Sequence, residues 1–569
     1  MQRGLRIVVL LGLLVTAYLL ILAWQKDYGH ASPAAAPTVA APATGADVPP
    51  APTATASGDV PAPASVAASP GALPSPTAAA VPAGLIEVQT DLVRAWIDPR
   101  GGDLVRLALL QHDDSKHSAQ PFELLQQDQV RTFVAQSGLI GPSGPDADPS
   151  GRPLYQSTAP RYQLQPQQNS LNVPLVYRNA QGVEVVKLYQ FHRGSYPIQL
   201  SYTVINRSAQ PWQGQMFAQL KRDGSVDPSK SSQGMMGLAT YLGGAWGKPG
   251  ESYNKIKFAD FQDEPLNQQV KAGWVGVVQH YFVSAWIPNA QDTVTLQSRN
   301  NGALHLIGYQ TPLVSVAPNQ QKTFTTQLYA GPKIQSELKP LAEGLDKTVD
   351  YGVLWPIAQV LFIGLKFIHG LLGNWGWSII VLTVLVKMLL FPLSAKSYRS
   401  MAKMRLITPE MQRLKEEYGD DRMKFSQEMM ALYRREEVNP LSGCLPLLLQ
   451  MPIFLALYWV LMESVELRHA PWLGWIQDLS SMDPWFILPL IMGVTMYVQQ
   501  MLNPQPADPA QAKMMKMLPI IFTVFLLFFP AGLVLYWIVN NLLTIAQQWM
   551  ITRQIEKDRA LSEKLHLKP

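Results

Sequence analysis

Trp377-Ser378-Ile379-Ile380-Val381-Leu382-Thr383-Val384-Leu385-Val386-Lys387-Met388-Leu389-Leu390-Phe391 is the stretch on which the fold turns. Apart from Lys387, only Ser378 and Thr383 interrupt its apolar run. With its flanks, over about 375–393, it is long enough to cross a bilayer as a helix. A lysine in mid-helix costs about 2.5–3.5 kcal/mol on insertion scales, and intramembrane charges as a rule face a protein interior or a wet cavity. Lys387 is therefore expected to face such a cavity, with the other helices built around it. The alternative is snorkelling, in which the aliphatic stem lifts the ammonium to the interface.

Composition agrees with a membrane protein. Charged residues make up 15% of the 569 and hydrophobic residues 47%, against roughly 25% charged in soluble domains. The length allows two or more domains. A net charge of +5 gives no sign of a nucleic-acid partner. The single cysteine, Cys444, rules out an internal disulfide and opens an apolar segment, where it reads as a small buried residue.

Upstream of the key stretch the chain changes character three times. Residues 1–28 carry Arg3 and Arg6 ahead of an apolar run from Ile7 to Trp24. That run exceeds the 7–15 residues of a signal-peptide core, so it reads as an uncleaved anchor with a cytoplasmic N-terminus; a cleaved signal is the alternative. Residues 29–84 are almost all Ala, Pro, Thr, Ser and Val, a composition expected for a disordered or extended tether. Residues 85–335 carry short β-rich runs, several alternating with period two, punctuated by Asp98-Pro99-Arg100-Gly101-Gly102 and Asn206-Arg207-Ser208. They predict an all-β sandwich on the side opposite the cytoplasm. His192, His280 and His305 show no metal-ligand spacing and read as structural or exposed. Residues 336–374 are expected to form a link and an amphipathic interfacial helix, a full extra span being the alternative.

Downstream, the first core span covers 375–396, and Lys396, Arg399, Lys403 and Arg405 mark its cytoplasmic end. Residues 397–440 predict a cytoplasmic helical hairpin, with Thr408-Pro409-Glu410 as a helix start and Gly419-Asp420-Asp421 as a break. Its methionines, Met404, Met411, Met429 and Met430, either form an adaptable docking face or pack the two arms together. Residues 441–552 supply four further spans, making five in the core. Phe529-Pro530-Ala531-Gly532 divides the last two, and Arg553, Lys557 and Arg559 open a basic tail over 553–569. Tyr536, Asn540 and Thr544 repeat at i, i+4 on the last span, with Trp537, Asn541 and Gln548 beside them. Thr383 lies four residues before Lys387, and Gln450 adds a polar group from another span.

Several of these segments carry a resemblance. Asn374-Trp375-Gly376-Trp377-Ser378-Ile379-Ile380, Ser400-Met401-Ala402-Lys403-Met404-Arg405, Gln427-Glu428-Met429-Met430-Ala431-Leu432-Tyr433, Asn439-Pro440-Leu441-Ser442-Gly443-Cys444, Gln450-Met451-Pro452-Ile453-Phe454 and Gly532-Leu533-Val534-Leu535-Tyr536 closely resemble the YidC/Oxa/Alb family of membrane protein insertases. The anchor and β domain match its Gram-negative form, whose periplasmic domain is a β-supersandwich. The resemblance implies a hydrophilic groove with a central basic residue, usually arginine and here Lys387. It places substrate contacts at Thr383 and Trp537, with tryptophan where tyrosine is often found, and a dynamic docking role on the hairpin. Lys387, Thr383, Gln450, Tyr536, Trp537 and Asn540 are thus the expected groove residues. Implied partners are nascent membrane proteins, membrane lipids and the Sec translocon, with the ribosome and the signal recognition particle pathway less firmly indicated. No cofactor, no enzymatic activity and no direct nucleic-acid contact are implied, and no phosphate-binding loop precedes a helix. The rival readings are a solute transporter or channel with a periplasmic binding domain, which predicts inverted repeats, and a tethered carbohydrate enzyme, which predicts a cleft of convergent His and carboxylates.

Overall fold

A computed structural model describes residues 59–61, 84–115, 120–149, 151–229, 240–251, 253–419, 421–436, 438, 445–503 and 509–566. The expected anchor over 1–28, most of the tether over 29–84, and Cys444 lie outside these residues.

The expected sandwich runs from Ile86 to Pro332 as two sheets, one of eleven strands and one of nine. Strands Val183–His192 and Pro197–Asn206 show why the segment folds this way. Buried and partly exposed residues alternate along both, and they pair antiparallel in unbroken register from Gln199↔Gln190 to Asn206↔Val183. Period two therefore sends Tyr189, Leu200, Tyr202 and Val204 to one face, where they join Trp212, Trp274 and Trp286 in a single core. His280 is buried and His305 stacks on Phe258 at 4.7 Å. Among the described residues no cluster suited to a metal ion occurs.

The helical part begins with α1 (Trp355–Leu372). It buries Ala358, Leu361, Phe362, Leu365 and Ile368 at helical spacing, as the pattern predicts. The opposite face differs from the expected polar one: Val360, Ile363, Phe367 and Leu371 are exposed there. Among the described residues, Gly352–Leu372 is the one unbroken helix long and apolar enough to cross a membrane. Gly373 ends it at φ +66°, a left-handed conformation that glycine adopts without a Cβ clash. Asn374 then starts α2 (Trp375–Leu389), its side chain accepting from Trp377 N–H at 3.1 Å.

The first core span was expected to run unbroken to 396. Instead α2 stops at Leu389 and the chain turns through 69° into α3 (Phe391–Leu406). Pro392, in the first turn of α3, has no N–H to return to α2. The arm leaving the bundle therefore starts earlier than 397. Helices α4 (Thr408–Tyr418) and α5 (Arg422–Arg435) form the expected hairpin. They are followed by α6 (Leu445–Glu463), α7 (Ile487–Met501), α8 (Pro509–Leu526) and α9 (Ala531–His566). The last helix runs on through the stretch read as a separate tail at 553, because nothing between Arg553 and His566 breaks it. Pro530 divides α8 from α9, and the loop after α6 seals the break: Ala531 N–H donates to Ser481 O at 2.7 Å and Gly532 N–H to Leu479 O at 3.0 Å.

That same loop joins the bundle to the sandwich. Lys333 and Glu463 form an ion pair at 2.8 Å with side chains only 2% and 8% exposed. Lys333 also donates to Thr348 O, His280 Nε2 bonds Met462 O at 2.7 Å, and Tyr351 shares a hydroxyl contact with Ser464. The Arg468 guanidinium lies over the rings of Phe122, Tyr281 and Phe282 and reaches Asp114 O. Within the loop, Asp483 accepts from Leu488 N–H at 2.7 Å and from Trp475 Nε1–H, so it caps α7 and holds an indole at once.

Candidate functional site: a polar cavity around Lys387

Lys387 lies in the last turn of α2 and points inward, only 8% exposed. Its ammonium donates to Thr544 Oγ1 on α9 at 2.9 Å, and Thr544 donates onward to Asn540 O at 2.8 Å. Among the described residues it has no carboxylate partner. One neutral hydroxyl does not satisfy an ammonium that has three protons to donate. The remaining demand falls on a cavity of about 20 Å³ lined by Thr383, Val386, Lys387, Leu390, Ser394, Leu449, Gln450, Ile453, Tyr536 and Asn540. That is room for roughly one water. The lysine thus sits at an inward polar opening and does not lift its head along the helix surface.

The lining follows from spacing. Thr383, Lys387, Leu390 and Ser394 fall at i, i+4, i+7 and i+11, one helical face carried across the bend. Thr383 is 3% exposed and its hydroxyl returns to Ile379 O at 2.6 Å, while the residue lines the cavity. From α6, Gln450 Nε2 donates to Tyr536 O–H at 3.4 Å, a long bond. Five of the six expected groove residues, Lys387, Thr383, Gln450, Tyr536 and Asn540, are brought together. Trp537 does not join them. It is wedged between Phe454, at 4.5 Å, and Phe522, at 5.9 Å, because the residue after Tyr536 points about 100° away around the helix. Thr544 and Ser394 were missed as site residues, although Thr544 continues the i, i+4 stripe and Ser394 continues the Lys387 face.

The seams around the cavity are unequal. Helix α6 packs mainly on α1 and touches α9 and α3 lightly, whereas α9 packs closely on α2 and α7. Farther along α9, Asn541 donates to Thr495 Oγ1 and Gln548 to Asn503 Oδ1, stitching α9 to α7 and the segment after it.

In the hairpin, Met404 and Met411 are buried with Ile407, Leu432 and Val438, and Met429 packs against them. Three of the four expected docking methionines therefore hold the arms together, since they recur on the facing sides of α3, α4 and α5. Met430 is 53% exposed, and Met423, not singled out from the sequence, is 75% exposed.

Fold and cavity together define a helical bundle with an enclosed cation and a β-sandwich fastened to one end, and among the described residues one of its helices is long and apolar enough to cross a membrane. Residues 367–558 match the family described as 60Kd inner membrane protein, and residues 85–363 match the YidC periplasmic domain. Over 98% of this chain and 99% of its own length, the membrane protein insertase YidC of Azotobacter vinelandii is 51% identical. That of Stutzerimonas stutzeri is 52% identical over 97% and 98%, and that of Pseudomonas aeruginosa 50% over 97% and 98%. A solved structure described as an active YidC insertase is 19% identical, with a TM-score of 0.37 over 82% of this chain and 92% of its own. The chain belongs to the YidC family of inner-membrane protein insertases.

Proposed function

We propose that this chain inserts nascent membrane proteins into the inner membrane through the seam between α6 and α9, with Lys387 as the electrostatic attractor for the translocated segment. The observation that carries this is the inward Lys387 ammonium, held by one hydroxyl beside a water-sized cavity. A buried cation without a carboxylate raises the local potential and favours acidic groups of an incoming chain. The cavity as it stands admits no polypeptide, so entry requires α6 to part from α9. Their light contact and the long Gln450–Tyr536 bond favour that parting, which also draws Phe454 off Trp537.

A short polar tail then crosses next to Lys387, Thr383 and Asn540 while its hydrophobic segment slides into lipid along the apolar outer faces of the helices. Polar partners lower the cost of desolvating the tail. Helix α7 has 15 residues, about 22 Å of rise, and a span this short favours local thinning of a hydrocarbon core of about 30 Å. No nucleotide is used, and the stripped tail is drawn by charge and by burial of its apolar segment. In this reading the sandwich is periplasmic, the hairpin and both termini are cytoplasmic, Met430 and Met423 offer the hairpin's docking surface, and the Sec translocon is a partner for larger substrates.

The test uses reconstituted full-length protein and a short substrate with an acidic tail. Lys387→Glu should lower insertion at least tenfold and Lys387→Arg should retain it, while photocrosslinkers at Thr383 and Gln450 should capture the stalled substrate. Full insertion by Lys387→Glu would overturn the electrostatic role. Crosslinks confined to the α7–α9 side would overturn the seam.

A further inference from the structure

Ahead of the sandwich, residues 59–61 lie against the larger sheet, and the side chains that hold Asp59 are far from it in sequence. Lys221 Nζ meets Asp59 Oδ2 at 2.7 Å, and Asn301 Nδ2 donates to Asp59 Oδ1 at 3.3 Å. Arg299 donates to the Asp59 carbonyl at 2.9 Å, and Gln219 Nε2 donates to the same oxygen. Both carboxylate oxygens and the carbonyl of one residue are thus met by four side chains from strands Trp212–Arg222 and Thr293–Asn301.

Those side chains do not belong to the sandwich core. Ala218 and Leu220 point into it, so Gln219 and Lys221, alternating with them, project from the opposite face. Yet with Asp59 in place Gln219 is only 3% exposed and Lys221 only 7%. The site is also backed by a built network: Gln219 donates to Gln136, which donates to Asp103, which pairs with Arg152. Buried polar groups of this kind are costly unless each finds a partner. Pro61 is buried alongside.

We infer that the outer face of the larger sheet carries an intramolecular docking site for an aspartyl peptide, and that its occupant is this chain's own Asp59. The Ala- and Pro-rich stretch before the sandwich is then divided in two. Asp59 on one side and the first strand, Ile86–Gln89, on the other are both fixed to the larger sheet. Tethering makes a modest contact sufficient, because a covalently linked ligand presents an effective concentration on the order of millimolar.

The experiment measures distance distributions between spin labels on Val60→Cys and Thr293→Cys in full-length, nanodisc-reconstituted protein carrying Cys444→Ser. A single narrow distribution is expected. Asp59→Lys should broaden it, and adding Lys221→Asp to Asp59→Lys should narrow it again. Asp59→Lys lies outside the sandwich strands, so its effect does not depend on the sandwich tolerating the second change. A broad distribution with Asp59 intact, or a narrow one that Asp59→Lys leaves unchanged, would overturn the inference.

Discussion

Breaking the Lys333–Glu463 pair should loosen the fastening between sandwich and bundle while leaving each part folded. The two side chains are 2% and 8% exposed, so Lys333→Met leaves Glu463 a buried carboxylate without its cation and Thr348 O without its donor. Removing one partner of a buried pair costs about 3–5 kcal/mol. At about 1.4 kcal/mol per factor of ten, opening of the junction should become roughly 100- to 4,000-fold more frequent. Amide hydrogen exchange on the reconstituted protein reads this directly at Ser464, Leu467 and Arg468, whose N–H groups bond Val460, Ser464 and Val465 carbonyls next to the pair. Replacing both partners with apolar groups, Lys333→Met with Glu463→Leu, should bring exchange back to within a few fold of the native rate, because such replacements are often neutral or stabilising. The His280–Met462 and Tyr351–Ser464 bonds remain in every variant and keep the comparison local. Exchange in Lys333→Met within twofold of native would refute the reasoning, as would a double variant that exchanges no more slowly than the single one.

In the hairpin, Met411→Ala should destabilise the α4–α5 packing by about 2–3 kcal/mol and raise protease sensitivity between Arg422 and Arg435, whereas Met430→Ala, at an exposed site, should change neither. Asp483→Ala removes the cap on α7 together with the Trp475 bond; a loss of about 1–2 kcal/mol in chemical denaturation is expected, and Asp483→Asn should recover most of it. Burial, reinforced by the nearby Arg468 and His469 and opposed by Asp113, holds the His112 imidazole down at about 4. The native histidine therefore stays neutral where the unfolded one, near 6.5, takes up a proton. Stability is lost as pH falls from about 6.5 toward 4, and His112→Gln should flatten that part of the melting-temperature profile; an equal loss in both proteins would exclude His112 as its source. Gly376→Val should push Trp472 aside, since a Cβ there would run into the indole, and a shift in tryptophan emission would report it.

The parts of the fold that repeat were legible. The period-two runs within 85–335 announced strands such as Val183–His192 and Pro197–Asn206, because a sheet with one buried face imposes period two on whatever occupies it. Asp421 located the second hairpin helix because it caps it, accepting from Lys424 N–H, and Pro409 fits the first turn of the other, although Thr408 lies inside that helix and donates back to Met404 O where a cap was expected. That Lys387 turns inward was legible because an ammonium in an apolar run is costly enough to need a polar partner. What escaped depends on contacts between distant residues. Nothing in the neighbourhood of Trp537 shows that Phe454 and Phe522 enclose it. The ion pairs of Arg152 with Asp103 and Asp146 and of Lys333 with Glu463 join charges that look solvated in the sequence. The bend at Leu390 was missed although Pro392 was in view, since a proline in an apolar run ends or kinks a helix depending on its packing.

Helix α9 runs without interruption from Ala531 to His566, and its 36 residues rise about 54 Å. Thr544, which holds the Lys387 ammonium, and Lys557, beyond the apolar stretch, belong to one stiff rod with no joint between them. Unbroken helical backbone therefore connects the basic far end of that rod to the hydroxyl partner of the buried charge.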